Sequence, residues 1–165
     1  MKKISLVVLL FFMSLIFSFE IIHAQVQTDA SDKLVEIKEI RQSIRHHLKN
    51  NKKLEGKIEK KSKQIEKVLV KLPENSLVSQ QVVDEELSPK LEGIMTQLMQ
   101  IGEYETASWK HLNRGNKQLQ NKKYDAGIKS LKQADIALKE KNEVMIRFKE
   151  DLDEFLVFIN SLQHK

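Results

Sequence analysis

Apolar residues recur along this chain at steps of three and four, the spacing of one face of a helix. From about Ser31 to Leu72 they fall at Leu34, Ile37, Ile40, Ile44, Leu48, Leu54, Ile58, Ile65, Leu69 and Leu72. Asn51 and Ser62 occupy two slots of the same stripe, and a polar residue in such a seam sets register at some cost in stability. The pattern predicts a first helix over 31–72. Ser31 is its expected N-cap, and Pro73 its stop, because proline disfavours helical geometry in the residue before it. A second stripe predicts a helix over 89–120, through Leu91, Ile94, Leu98, Ile101, Tyr104 or Glu105, Ser108, Leu112, Gly115 and Leu119. Ser88-Pro89 reads as its N-cap and first helical residue. The third stripe is the most regular: Tyr124, Ile128, Leu131, Ala134, Leu138, Met145, Phe148, Leu152, Phe155, Ile159 and Leu162 predict a helix over 124–162. The connection at 73–88 contains Val78, Val82 and Val83, enough for a short helix.

Long helices with thin apolar stripes predict an all-α fold: an antiparallel three-helix, up-down-up bundle with coiled-coil-like packing. Gly93, Gly102 and Gly115, with Ala107 and Ser108, are read as points of close approach between helices, since each interior Gly costs about 1 kcal/mol relative to Ala. Tyr104, Trp109 and Tyr124 are expected in the core. Leu156 and Phe158 widen the third stripe near its end. Extra width implies a further neighbour, so Phe148, Phe155, Leu156 and Phe158 form a candidate partner-binding end.

The first residues have a different character. Lys2 and Lys3 precede an apolar run from Ile4 to Phe19, and Ala24 is small enough for a signal-peptidase site. Residues 1–24 are read as a secretory signal peptide, and 25–165 as a single helical domain. The run is shorter than the roughly 20 apolar residues a spanning helix needs. An uncleaved membrane anchor is the alternative, and membrane contact is expected only then. The expected location is extracytoplasmic, secreted or associated with the cell envelope, as for a bacterial export substrate.

The turn between helices two and three carries a recognisable order of residues. Gly115, Tyr124, Gly127, Leu131 and Ala134 stand, in sequence, at the small, aromatic, small, large apolar and alanine slots of a helical hairpin. This segment, about 109–138, resembles one tetratricopeptide unit. Trp109 and Leu112 stand about two positions early, no proline closes the unit, and no second copy follows at a 34-residue period. The resemblance therefore implies the local hairpin and the packing of Tyr124 under the turn. It implies no peptide groove, which requires several repeats.

Composition removes whole classes of chemistry. The 165 residues contain no cysteine, five Gly and two Pro. That excludes disulfides, thiolate metal sites and a thiol nucleophile, and it argues against a turn-rich β fold. Neither a Gly-x-Ser-x-Gly elbow nor a phosphate-binding glycine loop occurs. His46 and His47 diverge by about 100° on a helix and cannot chelate from one face. No cofactor and no metal is expected, and no enzyme activity.

Charge runs in blocks. Residues 45–72 carry a net +7, residues 73–106 a net −6, and residues 107–141 a net +6. In an up-down-up bundle the first two blocks lie side by side. The third lacks such an acidic neighbour, so Lys110, Arg114, Lys117, Lys122, Lys123, Lys129 and Lys132 form a candidate anion-binding tip. Nucleic acid is not favoured, for want of interleaved basic and aromatic residues. Taken together, the chain is expected to be an exported, non-catalytic helical protein that works by binding a protein partner or itself. The alternatives are a binder of anionic wall polymer or membrane surface through the 107–132 tip, and a small exported enzyme.

Overall fold

The structure is a computed structural model, and it describes the backbone of residues 6–70 and 83–162 and the side chains of 31–70 and 85–161. The side chains on which the signal-peptide reading rests, and most of the connection at 73–88, lie outside the described residues. The described residues are all-helical, without strands, and three helices pack together. Helix α1 is Leu6–Leu69, α2 is Ser88–Gln120 and α3 is Tyr124–Leu162. A π-helical turn, Val83–Leu87, leads into α2.

Two helix starts differ from expectation. α1 runs through Ser31, which is therefore an interior residue and caps nothing. The preceding segment contains neither Gly nor Pro, so nothing in it breaks a helix. Ser88 is not the cap of α2 either. The cap position is Leu87, at φ −75° and ψ −50° without a side-chain bond, because the π turn already delivers helical backbone. Pro89 sits in the first turn, where its missing N–H leaves no partner unsatisfied.

The chain divides into two compact units, Met1–Glu39 and Ile40–Lys165. In the first, Ile37 is buried while Leu34 and Val35 are exposed. The second holds the functional surfaces. Its core is supplied mainly by α3: Ile128, Leu131, Ala134, Leu138, Met145 and Phe148 are buried, and Leu152, Phe155 and Ile159 continue the row. α1 adds Ile40, Ile44 and Ile65. α2 is peripheral, and only Ser108 and Gly115 of that helix are fully buried.

Bonds between the helices give their register. Ser43 donates to Asp135 (3.0 Å), Asn51 to the Leu138 carbonyl (3.2 Å), and Lys61 pairs with Asp153 (2.6 Å), so residue numbers rise together along α1 and α3. Gln97 donates to Asp151, Lys141 reaches Glu105, and Ser130 donates to Gln118, so α2 and α3 run in opposite senses.

The α2–α3 turn is tight. The Lys123 N–H bonds the Gln118 carbonyl and the Lys122 N–H bonds the Leu119 carbonyl, which is a Schellman ending with Lys122 at φ 56°. Beyond it the helices touch at two glycines. A Cβ built on Gly115 would lie 3.0 Å from Leu131 Cδ2, and one on Gly127 would lie 2.5 Å from Leu119 Cδ2. Gly93 and Gly102, also expected at close contacts, have nothing within 4 Å. Those turns of α2 lie along the edge of the bundle, and their glycines face open space.

Candidate functional site

The aromatic end of α3 belongs to the interior. Phe148 and Phe155 are buried in one cluster with Ile65, Leu152 and Ile159, and Leu156 and Phe158 pack half-buried against it. The widened stripe is satisfied within the chain, by Ile58 and Val68 of α1 and by Leu87, Ile94 and Ile101. Lys90 Nζ lies 5.6 Å from the centre of the Phe158 ring and covers it further. Of the four residues of the expected partner-binding end, Phe148 and Phe155 are therefore core, and Leu156 and Phe158 stay half-buried beside it.

Among the described residues, a row of open apolar side chains lies on α2. Leu91, Met95, Leu98 and Met99 are all exposed, Met99 to 65%. Their spacing places them along one side of the helix. Leu91 and Leu98 were expected to face inward. Ile94 and Ile101 are half-buried instead, as are Tyr104, Leu112 and Leu119 further on, and Ser108 and Gly115 are fully buried. Leu91 and Leu98 lie outside the cluster in which Ile94 and Ile101 meet α1 and α3, and they are exposed.

The seven cations of the tip are exposed. The turn holds Lys122 and Lys123 at the end of α2, and Lys129 and Lys132 follow on α3. Among the described residues Lys110, Arg114, Lys117, Lys122, Lys123 and Lys129 have no ion pair. Nearby, Arg41 of α1 donates to Asn116 (3.3 Å). By contrast, the basic block of α1 is partly engaged by α3. Asp153 takes both Lys61 and Lys149 at 2.6 Å, and the hydrogen bonds from Lys149 and then Lys61 hold its carboxyl below the usual aspartate range.

A polar layer crosses the middle of the bundle. The buried Asn51 donates to the Leu138 carbonyl and accepts from Asn142 (2.7 Å), so its amide is used at both ends. One turn away the Lys141 side chain is buried, with its ammonium 2.9 Å from Glu55 and 3.3 Å from Glu105. One lysine of α3 thereby ties α1 to α2. Beside it opens a cleft of about 280 Å³, with Asn51, Ser108, Leu138 and Lys141 at its floor. Trp109, Glu55, Glu105 and Lys52 stand at its rim. Trp109, expected in the core, is 51% exposed.

Asn51 and Asn142 were legible as polar breaks in the stripes, but Lys141 was not singled out. The signal was there: Leu138 and Met145 are seven apart, and Lys141-Asn142 fills the slot between them. Among the described residues no group of three His, Asp or Glu side chains is placed to hold a metal ion. Nor is any described helix long and apolar enough to cross a membrane. Comparisons with models of protein families, with curated proteins and with solved structures find no match to this chain.

Proposed function

We propose that this is an exported, non-catalytic helical protein, an up-down-up bundle of coiled-coil-like helices, that acts at the cell envelope through protein–protein contact, its own second copy included. The observation that carries the reading is the open apolar row Leu91, Met95, Leu98 and Met99. Apolar rows on soluble domains mark contact surfaces, and methionine-rich ones adapt to varied partners. The export half of the reading rests on the charged and apolar residues that precede Ala24. Light scattering on the purified chain tests the contact face. Association that rises with concentration and is abolished by Leu98→Glu, with helix content unchanged, is the expected result. A chain that stays monomeric, and whose envelope contacts survive Leu98→Glu, refutes it. N-terminal sequencing of material from the medium and from membranes tests export, with Gln25 as the expected first residue.

A second reading is favoured by the six cations that have no ion pair among the described residues. They suit an anionic wall polymer or a membrane surface, at about 1 kcal/mol per Lys close to such a surface. Neutralising Lys117, Lys122, Lys123 and Lys129 to Gln should then weaken binding to anionic vesicles, most strongly at low salt. Equal binding by the neutralised chain removes this reading.

A further inference from the structure

The geometry points to the cleft beside Trp109 as a binding site for a neutral polyhydroxylated ligand of the saccharide class, taken on the Trp109 ring and the free oxygens of Glu55 and Glu105. The charge of the cleft sets the ligand's charge. Lys52 and Lys141 balance Glu55 and Glu105, and the Lys141 ammonium already bonds both carboxylates. An anion reaching the floor would have to take Lys141 from two carboxylates, which leaves it only Lys52 at the exposed rim. A cation would have to displace the lysine itself. A neutral ligand leaves the bridge intact.

The remaining bonding capacity on the two walls beside Lys141 is of one kind, while Lys52 and Trp109 add donors at the rim. Lys141 engages Glu55 through Oε1 and Glu105 through Oε2. Among the described residues the other oxygen of each has no partner. These two acceptors, on α1 and α2, flank the same opening and take O–H donors. The Asn51 amide is committed to Leu138 and Asn142, and the Ser108 hydroxyl to the Glu105 carbonyl, so the floor is rigid. Trp109 supplies a large flat apolar face and one N–H donor, half open to solvent. A flat apolar wall beside converging acceptors matches a pyranose ring, which has a C–H face and a rim of hydroxyls. At about 280 Å³ the cleft lies at the small end of ligand sites, which suits one sugar ring in a longer chain.

This inference does not depend on the α2 contact face, which involves other residues. The chain contains one tryptophan, so its emission reports this cleft alone. The purified chain is titrated with chitotriose, cellotriose and maltotriose, with emission and calorimetry as readouts. A saturable change with at least one of the three is expected. Trp109→Ala should weaken that binding by about tenfold or more, while Trp109→Phe, which keeps a ring, should stay within about threefold. Glu105→Gln should weaken it with the circular dichroism unchanged. No saturable change with any of the three sugars overturns the proposal. Saturation by tetraethylammonium or inorganic phosphate, without saturation by sugar, overturns the ligand class. Sugar binding that Trp109→Ala leaves untouched overturns the site.

Discussion

Replacing each glycine of α2 and α3 by alanine should give effects of opposite sign, depending on where the glycine sits. Alanine is favoured over glycine in a helix interior by about 1 kcal/mol, because glycine loses more backbone entropy on folding. Gly93 and Gly102 meet nothing within 4 Å, so there the new methyl costs nothing and the gain is kept. Gly127 is different. Its Cβ would lie 2.5 Å from Leu119 Cδ2 and 2.7 Å from Leu119 Cγ. The second distance decides the case: Cγ is the branch atom, and turning the side-chain tip does not remove it. Either Leu119 leaves its rotamer or the helices part, and the α2 backbone is itself in contact, with the Gly115 carbonyl 3.4 Å from the same Cβ. Overpacking of this kind costs about 1–3 kcal/mol. Set against the propensity gain, Gly127→Ala should lose about 1 kcal/mol net while Gly93→Ala gains about that much, a separation near 2 kcal/mol. Gly115→Ala should fall between them, since its contacts with Leu131 are 3.0 and 3.1 Å but Leu131 is fully buried and cannot yield far. Urea unfolding followed at the helix band measures all four, and equal m-values would show that only native stability changed. If Gly127→Ala stabilises as much as Gly93→Ala, the close crossing of α2 and α3 does not exist.

Four further outcomes are expected. Lys122 holds a positive φ that costs an ordinary residue about 1 kcal/mol, so Lys122→Gly should stabilise the chain by up to that amount in the same unfolding assay. Asn51→Ala removes the second bond to the Leu138 carbonyl and leaves the Asn142 amide without its partner, and should cost about 1–3 kcal/mol, whereas joint replacement of Asn51 and Asn142 by Leu should cost less than the sum of the singles in a double-mutant cycle. Glu55→Gln with Glu105→Gln leaves the buried ammonium of Lys141 uncompensated and should cost on the order of 3 kcal/mol, more than Lys141→Met, which leaves two carboxylates that are half open to water. Asp153 has a folded pKa below its ordinary 3.8, so its stabilisation is complete above about pH 4 and is lost as pH falls through the lower folded value. Being more than a third exposed, it contributes at most about 1 kcal/mol, and Asp153→Asn should flatten the acid limb of a stability–pH curve by no more than that.

α3 was the most legible part of the sequence because it is walled on two sides. Of its eleven expected stripe residues, the nine from Ile128 to Ile159 are buried, Tyr124 is half-buried, and Leu162 lies outside the described side chains. A stripe reports burial well when every slot meets a neighbour. α2 shows what happens otherwise. Its apolar positions also follow steps of three and four, yet Leu91 and Leu98 are exposed while Ile94 and Ile101 are half-buried. Periodicity identifies a helix and its apolar side, but not whether that side is wide enough for one neighbour or two. The same limit misplaced the aromatic residues. Leu156 and Phe158 looked like surplus at the end of α3, and they pack half-buried against a cluster that includes Ile65 of α1, a partner some 90 residues away in sequence that no local pattern reveals. Trp109 looked like core for its size, and it stands at a rim because the neighbouring slot, Ser108, takes the inward position. Small residues on α2 therefore do two things at once: Ser108 and Gly115 bring α2 close to its neighbours, and by taking the innermost positions they leave Leu91, Met95, Leu98, Met99 and Trp109 outside. Exposure of the Leu91–Met99 row and of Trp109 is then one consequence of a peripheral helix seated on its smallest residues, and these two candidate contact surfaces, unlike the basic tip, share that cause.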